Sequence, residues 1–236
     1  MSYYKGNRTG EALGLLDEGP PRGEYYWWNS AIFWSTMLDY WRYTGDDTYN
    51  AVTLEALTAQ NGNTTDPGMA FLPVNQTARA SNDDQGFWAM AGMQAAELGL
   101  PSQDGQVAWL DLAKGAFEAF TIRWGLDSTV CENGGLRWMI PPTNSGYNYK
   151  NTISTAVLAN LGARLGRYTG NATYGEWADK SWSWLTTIGF IDADSKVFDG
   201  AHVETNCTDL NKVQFTYTAG VLIETAAYMY NQVRPP

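Results

Sequence analysis

Two carboxylates stand side by side in the stretch SNDDQGFWAM: Asp83 and Asp84, at a point where a helical pattern begins and tryptophan follows. Cleaving a glycosidic bond takes one carboxylic acid to protonate the leaving oxygen and one carboxylate to attack the anomeric carbon or activate water. Neighbouring helical residues diverge by about 100° around the axis, so their carboxyl groups can stand apart and still serve one substrate. A separation near about 5 Å goes with retention of configuration through a glycosyl-enzyme intermediate. A helix N-terminus helps keep one aspartate ionised, while repulsion from it and burial among rings raise the other toward a proton donor. The plainer alternative is capping: Ser81 or Asn82 accepts a free backbone N–H, and the acidic residues complement the helix dipole. A D-D-x-x-D magnesium cluster is absent, because Phe87 stands where its third carboxylate would be.

Composition narrows the remaining chemistry. The chain has 236 residues, 44% of them hydrophobic, enough for a substantial core within one domain. A net charge of −10 disfavours nucleic acid and anionic membranes, which bind basic surfaces. The 11 Trp and 14 Tyr suit flat, partly apolar ligands such as sugars, although a tryptophan-rich core uses the same residues. One histidine and two cysteines are too few for the usual zinc sites, and neither a G-x-S-x-G elbow nor a P-loop occurs, so no metal or cofactor is implied. Five N-x-[ST] sequons, at Asn7, Asn63, Asn75, Asn171 and Asn206, exceed the roughly two expected by chance and favour a secreted or cell-surface protein. Cys131 and Cys207 fit one disulfide in an oxidising compartment, with two buried thiols as the alternative. No run is apolar and long enough to span a bilayer, and no signal peptide is legible at Met1.

The elements that would position the carboxylates read as helical hairpins. RYTGDDTY at 42–49 echoes RYTGNATY at 167–174, and each copy ends one helix and opens another. Gly45 and Gly170 sit where a C′ glycine belongs, and Thr48 and Thr173 are placed to cap the helices that follow. A third hairpin runs from Asp83 past Gly99 and Pro101 into an amphipathic helix at 106–124. Asp83 to Leu98 has scarcely a polar stripe and reads as buried all round. Inner helices starting near 27, 84, 150 and 213, with outer ones between them, describe an all-α solenoid or closed α/α toroid. The longer segments 62–82, 125–149 and 189–212 each precede an inner helix, so they gather at one end, where a binding face forms. Trp27, Trp28, Tyr149, Lys150, Asn151, Gln214 and Tyr217 fall at the same end, with rings to stack on pyranoses and amides to hold hydroxyls. Asp199 is a candidate hydroxyl acceptor or an Asx turn before Gly200, and His202 reads as a loop residue.

YYWWNSA, NQTARASNDDQGFWAM, the run from GGLRWMIPPTNSGYNYKN to GRYTGNATY, and FTYTAGVLIETAAYMY resemble fungal members of glycoside hydrolase family 76, the endo-α-1,6-mannanases and their cell-wall relatives of the Dfg5 and Dcw1 type. The resemblance implies an (α/α)6 barrel, of which 1–236 would form a single partial domain with about four of six hairpins. It also implies retaining chemistry on α-1,6-linked mannan, with Asp83 as nucleophile and Asp84 as acid/base. Trp27, Trp28, Asn82, Gln85, Tyr149, Asp199, Gln214 and Tyr217 would line the sugar subsites. A transglycosylase acting on mannan or a GPI glycan, and an inactive mannan-binding fragment, stay open as alternatives. An incomplete ring would expose apolar inner-helix faces and invite self-association.

Overall fold

A computed structural model of the chain describes residues 4–6, 8–17, 19–62, 65–126 and 129–233. Seven α-helices carry the fold among them: α1 (Trp27–Thr44), α2 (Asn50–Thr58), α3 (Asn82–Leu98), α4 (Trp109–Gly125), α5 (Thr152–Thr169), α6 (Ala172–Thr187) and α7 (Thr216–Val233). None is long and apolar enough to cross a membrane. Gly45 and Gly170 take left-handed conformations at the ends of α1 and α5, at φ 72° and 70°, and their N–H groups close the last turns on Trp41 and Gly166. A side chain with a Cβ would be strained at either place. The helices that follow are capped differently from expectation. Asn171, not Thr173, caps α6 by accepting the Thr173 N–H. Tyr49, not Thr48, precedes α2, and the Thr48 N–H is instead held by Asp46.

The chain forms two compact units, Met1–Gln76 with Phe87–Ala116, and Thr77–Gly86 with Phe117–Pro236. In the first, Trp34 is fully buried, meets Tyr4 edge-on at 4.8 Å and donates its indole N–H to Gly14 O. Trp27 stacks on Trp88 with centroids 5.8 Å apart, and Gln94 of α3 donates to Asp39 of α1. Burying such rings, with the N–H groups of Trp27 and Trp34 satisfied by Gln60 Oε1 and Gly14 O, supplies the apolar area that holds a unit of this size together.

In the second unit α5 is the central helix, buried from Thr152 through Leu165 and packed on α6 and α7. Gly162 permits the close approach to α6, since a Cβ there would stand 2.7 Å from Tyr174 O. Edge-on rings continue outward from Trp124 to Trp184 and Phe190, and Trp184 donates its N–H to Cys131 O. Cys131 is disulfide-bonded to Cys207 across 76 residues, joining the two long loops of this unit. Those loops also carry a three-stranded antiparallel sheet, β1 (Tyr149–Asn151), β2 (Gly200–His202) and β3 (Leu210–Asn211), in the order β1-β2-β3. The helical reading did not anticipate it.

Candidate active site

The carboxylate pair is positioned by backbone first. Ser81 pairs with Met139 and Arg137 with Lys150 in isolated bridges, so the start of α3, the segment 137–140 and β1 form one hydrogen-bonded series. Asn82 N donates to Trp138 O at 2.8 Å, and Trp138 N donates to Tyr149 O at 2.7 Å. β2 extends the series, because Gly200 pairs with Asn151; a Cβ at Gly200 would strike Lys150 O and lie 2.8 Å from the Asn151 Cα. Side chains lock the same corner. Arg123 of α4 donates to Asn82 Oδ1 at 2.8 Å and to Gln85 Oε1 at 2.6 Å, and Asn82 Nδ2 donates to Arg137 O.

Ser81 is the cap of α3, accepting the Asp84 N–H at 3.3 Å. Asp83, only 8% exposed, points into the unit. Its Oδ1 accepts the Asp84 N–H at 2.9 Å and its Oδ2 accepts from Asn151 Nδ2 at 3.2 Å. Asp84 keeps a solvent-accessible edge in surroundings that are otherwise protein.

The two carboxyls differ electrostatically. Burial raises Asp83, but bonds from Ser81, the Asp84 N–H and Asn151 all oppose it by favouring the ionised form. Burial and then the Asp83 charge push Asp84 well above the usual carboxylate range, and only Ser81 opposes. Between the two, the arrangement favours the charge on Asp83 and the proton on Asp84. The other Asp-Asp pair of the chain makes the contrast: Asp46 is only half-buried, bonded to Thr48 and Tyr40, and held below the usual range.

Other candidate residues lie in the same unit. Tyr149 donates its hydroxyl to Asp199 Oδ2 at 2.6 Å, and Asn211 Nδ2 reaches both, at 3.1 Å and 3.0 Å. Burial and the bond to Asp199 raise the Tyr149 phenol, keeping it a donor. Tyr217 at the start of α7 is raised by burial and by the charges of Asp83, Asp199 and Asp84, so it stands within electrostatic reach of all three. His202 meets Tyr149 edge-on at 4.9 Å, and Gln214 is exposed.

Asn82 and Gln85 are 2% and 0% exposed, and with Arg123 they hold the start of α3. Trp27 and Trp28 belong to the first unit. There Trp27 is buried with its N–H on Gln60 Oε1, and Trp28 packs on Phe87 at 5.3 Å. Asn75, Asn171 and Asn206 are exposed; Asn7 and Asn63 lie outside the described residues. Arg123 and Asn211 were missed by sequence reasoning, since nothing local marks a contact 41 residues away, or a side chain two strands from Tyr149. The N-cap pattern of Asn151-Thr-Ile-Ser154 was the available signal for Asn151.

Comparison with known proteins agrees with this architecture. A family model described as glycosyl hydrolase family 76 matches residues 1–234. The chain is 42% identical over 234 residues to mannan endo-1,6-alpha-mannosidase DFG5 of Saccharomyces cerevisiae, covering 98% of this chain and 48% of that protein. It is 40% identical to DCW1 of the same yeast, covering 98% and 49%. The chain thus spans about half the length of the curated relatives it matches. Among solved structures, Dfg5 from Chaetomium thermophilum in complex with glucosamine is 49% identical, with a TM-score of 0.90 over 98% of this chain and 56% of that one. An inactive variant of the α-1,6-mannanase GH76A of Salegentibacter sp. HEL1_6, in complex with α-1,6-mannotetrose, shares the fold at 24% identity and a TM-score of 0.68, over 90% and 56%. The all-α fold class, hairpins of the α/α toroid type and about half of such a structure, is that of these proteins.

Proposed function

The chain belongs to glycosyl hydrolase family 76, and from that premise we propose that it carries the carboxylate pair of a retaining glycosidase acting on α-1,6-linked mannan. The observation that carries the reading is the divided environment of two adjacent aspartates: Asp83 bonded by three neighbouring groups, and Asp84 left with Ser81 alone beside a negative charge. Asp83 attacks the anomeric carbon, forming a C–O bond as the glycosidic C–O bond breaks, while Asp84 gives its proton to the departing oxygen. Asp84, now ionised, takes a proton from water, whose oxygen displaces Asp83 and releases the sugar with its configuration retained. Tyr149, Asp199, Gln214 and Tyr217 are the proposed sugar contacts of the second unit. The sequons and the disulfide support a secreted or cell-wall setting.

A second reading rests on the glucosamine held by the Chaetomium relative. An amino sugar is foreign to α-1,6-mannan, which favours transfer of the glycosyl group to or from a GPI-type glycan instead of to water. Product analysis on α-1,6-mannan, with and without an added sugar acceptor, tests both. Free reducing ends alone support hydrolysis, and acceptor-extended products support transfer. Binding of α-1,6-mannooligosaccharide without turnover, unaltered by Asp83→Asn or Asp84→Asn, would show a mannan-binding protein and defeat both enzymatic readings.

A further inference from the structure

We propose that Asn151 is a positioning residue of the reaction, a two-sided clamp that fixes the Asp83 carboxylate to the start of α5 and holds it ready to attack. The amide faces two ways at once. Its Oδ1 accepts the Ser154 N–H at 3.3 Å, capping α5, and its Nδ2 donates to Asp83 Oδ2 at 3.2 Å. The cap decides the orientation: with the oxygen committed to a backbone N–H, only the NH2 end is left for Asp83, and the reversed amide would set oxygen against carboxylate. Asn151 is 5% exposed, and its backbone is pinned by pairing with Gly200 and by the Thr152 N–H to Asp199 O. The carboxylate therefore has one oxygen tied to α3 through the Asp84 N–H and the other to α5 through Asn151. Fixing both ends of a nucleophile within a rigid frame lowers the reorganisation needed on attack. A donor on Oδ2 also favours the charged form that attack requires.

The importance of this contact for turnover rests on the glycosidase reading, but its measurement does not. Asn151→Asp keeps an equally good helix cap while replacing the donor with a third carboxylate; Asn151→Ser keeps a cap and withdraws the donor. The titratable and charged groups of the neighbouring elements stay as they are in both variants: Asp84 on α3, Tyr217 on α7, Arg123 of α4 bonded to Asn82 and Gln85, and Lys150 on β1 with its ammonium on Gly134 O. The Asp83 midpoint is read from the carboxyl 13C shift against pH in aspartate-labelled protein, beside the acidic limb of the rate on α-1,6-mannan. The expected result is a rise of about one pH unit in Asn151→Ser and a larger one in Asn151→Asp, with the acidic limb moving by the same amount. Melting of Asn151→Asp should match the parent in acid and fall behind as pH rises. Unmoved midpoints in both folded variants would overturn the proposal. So would loss of folding of Asn151→Asp at every pH, which would make the amide a structural necessity. A wild-type chain that cleaves no mannan while the midpoints shift as expected would count against the glycosidase reading alone.

Discussion

At the scale of single residues, the separation of roles between Asp83 and Asp84 has a thermodynamic cost that can be measured. A carboxyl whose folded pKa lies above its unfolded value binds more protons in the folded state, so stability falls as pH rises through that interval. Both aspartates are raised, Asp84 the more strongly, with burial as the leading cause. Their penalty is absent below the ordinary carboxylate range near about pH 4 and grows toward neutrality. Asp84→Asn removes the proton donor and much of the repulsion. It should lower mannan cleavage by about 10²–10⁴-fold, the usual worth of a general acid, and yet melt higher than the parent at pH 7. That gain should vanish in acid. Parallel melting curves across pH, or a variant less stable at neutrality, would contradict the assignment of a proton to Asp84. The residue types at this site were legible because paired carboxylates at a helix start are written in consecutive letters. What distinguishes the two was not, since it depends on Asn151, 68 residues away.

At the scale of elements, periodicity exposed the helices and hid the sheet. The hairpins show through the glycines that end α1 and α5, and α3 through its lack of a polar stripe, because both signals are local. Strands of two and three residues have no room for an alternating pattern, so β1, β2 and β3 left none. The misplaced cap on α6 has a similar origin: Asn171 and Thr173 are both good caps by type, and the turn after Gly170 decides between them. The sheet nonetheless fixes the site, and Gly200 is where it is most vulnerable. Gly200→Ala would drive a methyl into the Lys150 carbonyl and against the Asn151 backbone, neither of which can turn aside. A loss of about 1–3 kcal/mol is expected, read by chemical denaturation, together with an Asp83 midpoint displaced as in the Asn151 variants. A neutral substitution would mean that the β1–β2 register does not support the carboxylate. The disulfide braces the same loops. Closing a 76-residue separation is worth about 4 kcal/mol in the chain-entropy account. Replacing both cysteines by serine should therefore lower the denaturation midpoint without changing the pH profile of any activity that remains.

At the scale of the whole molecule, burial is unequal among helices that the sequence treats alike. α5 and α7 both read as apolar inner helices. α5 is buried along most of its length, whereas α7 exposes Ile223 at 72% and Tyr230 at 58%, with Gly220, Ala226 and Ala227 on the same side. An apolar stripe at three- and four-residue spacing, open to water, is a surface that promotes association. It is opposed by a net charge of −10, which repels like chains at low salt. Because salt screens the repulsion and leaves apolar burial intact, association should strengthen as ionic strength rises, the reverse of the behaviour of an interface held by ion pairs. Light scattering over a range of protein concentrations, at low and high salt, should show a mass that climbs with both. Ile223→Lys should hold the chain monomeric throughout, with helical content and the Asp83 titration unchanged, since the side chain is exposed and stands six residues along α7 from Tyr217. A parent chain that stays monomeric at every concentration and salt would mean that the α7 face is not sticky enough to matter, and that charge alone keeps these chains apart.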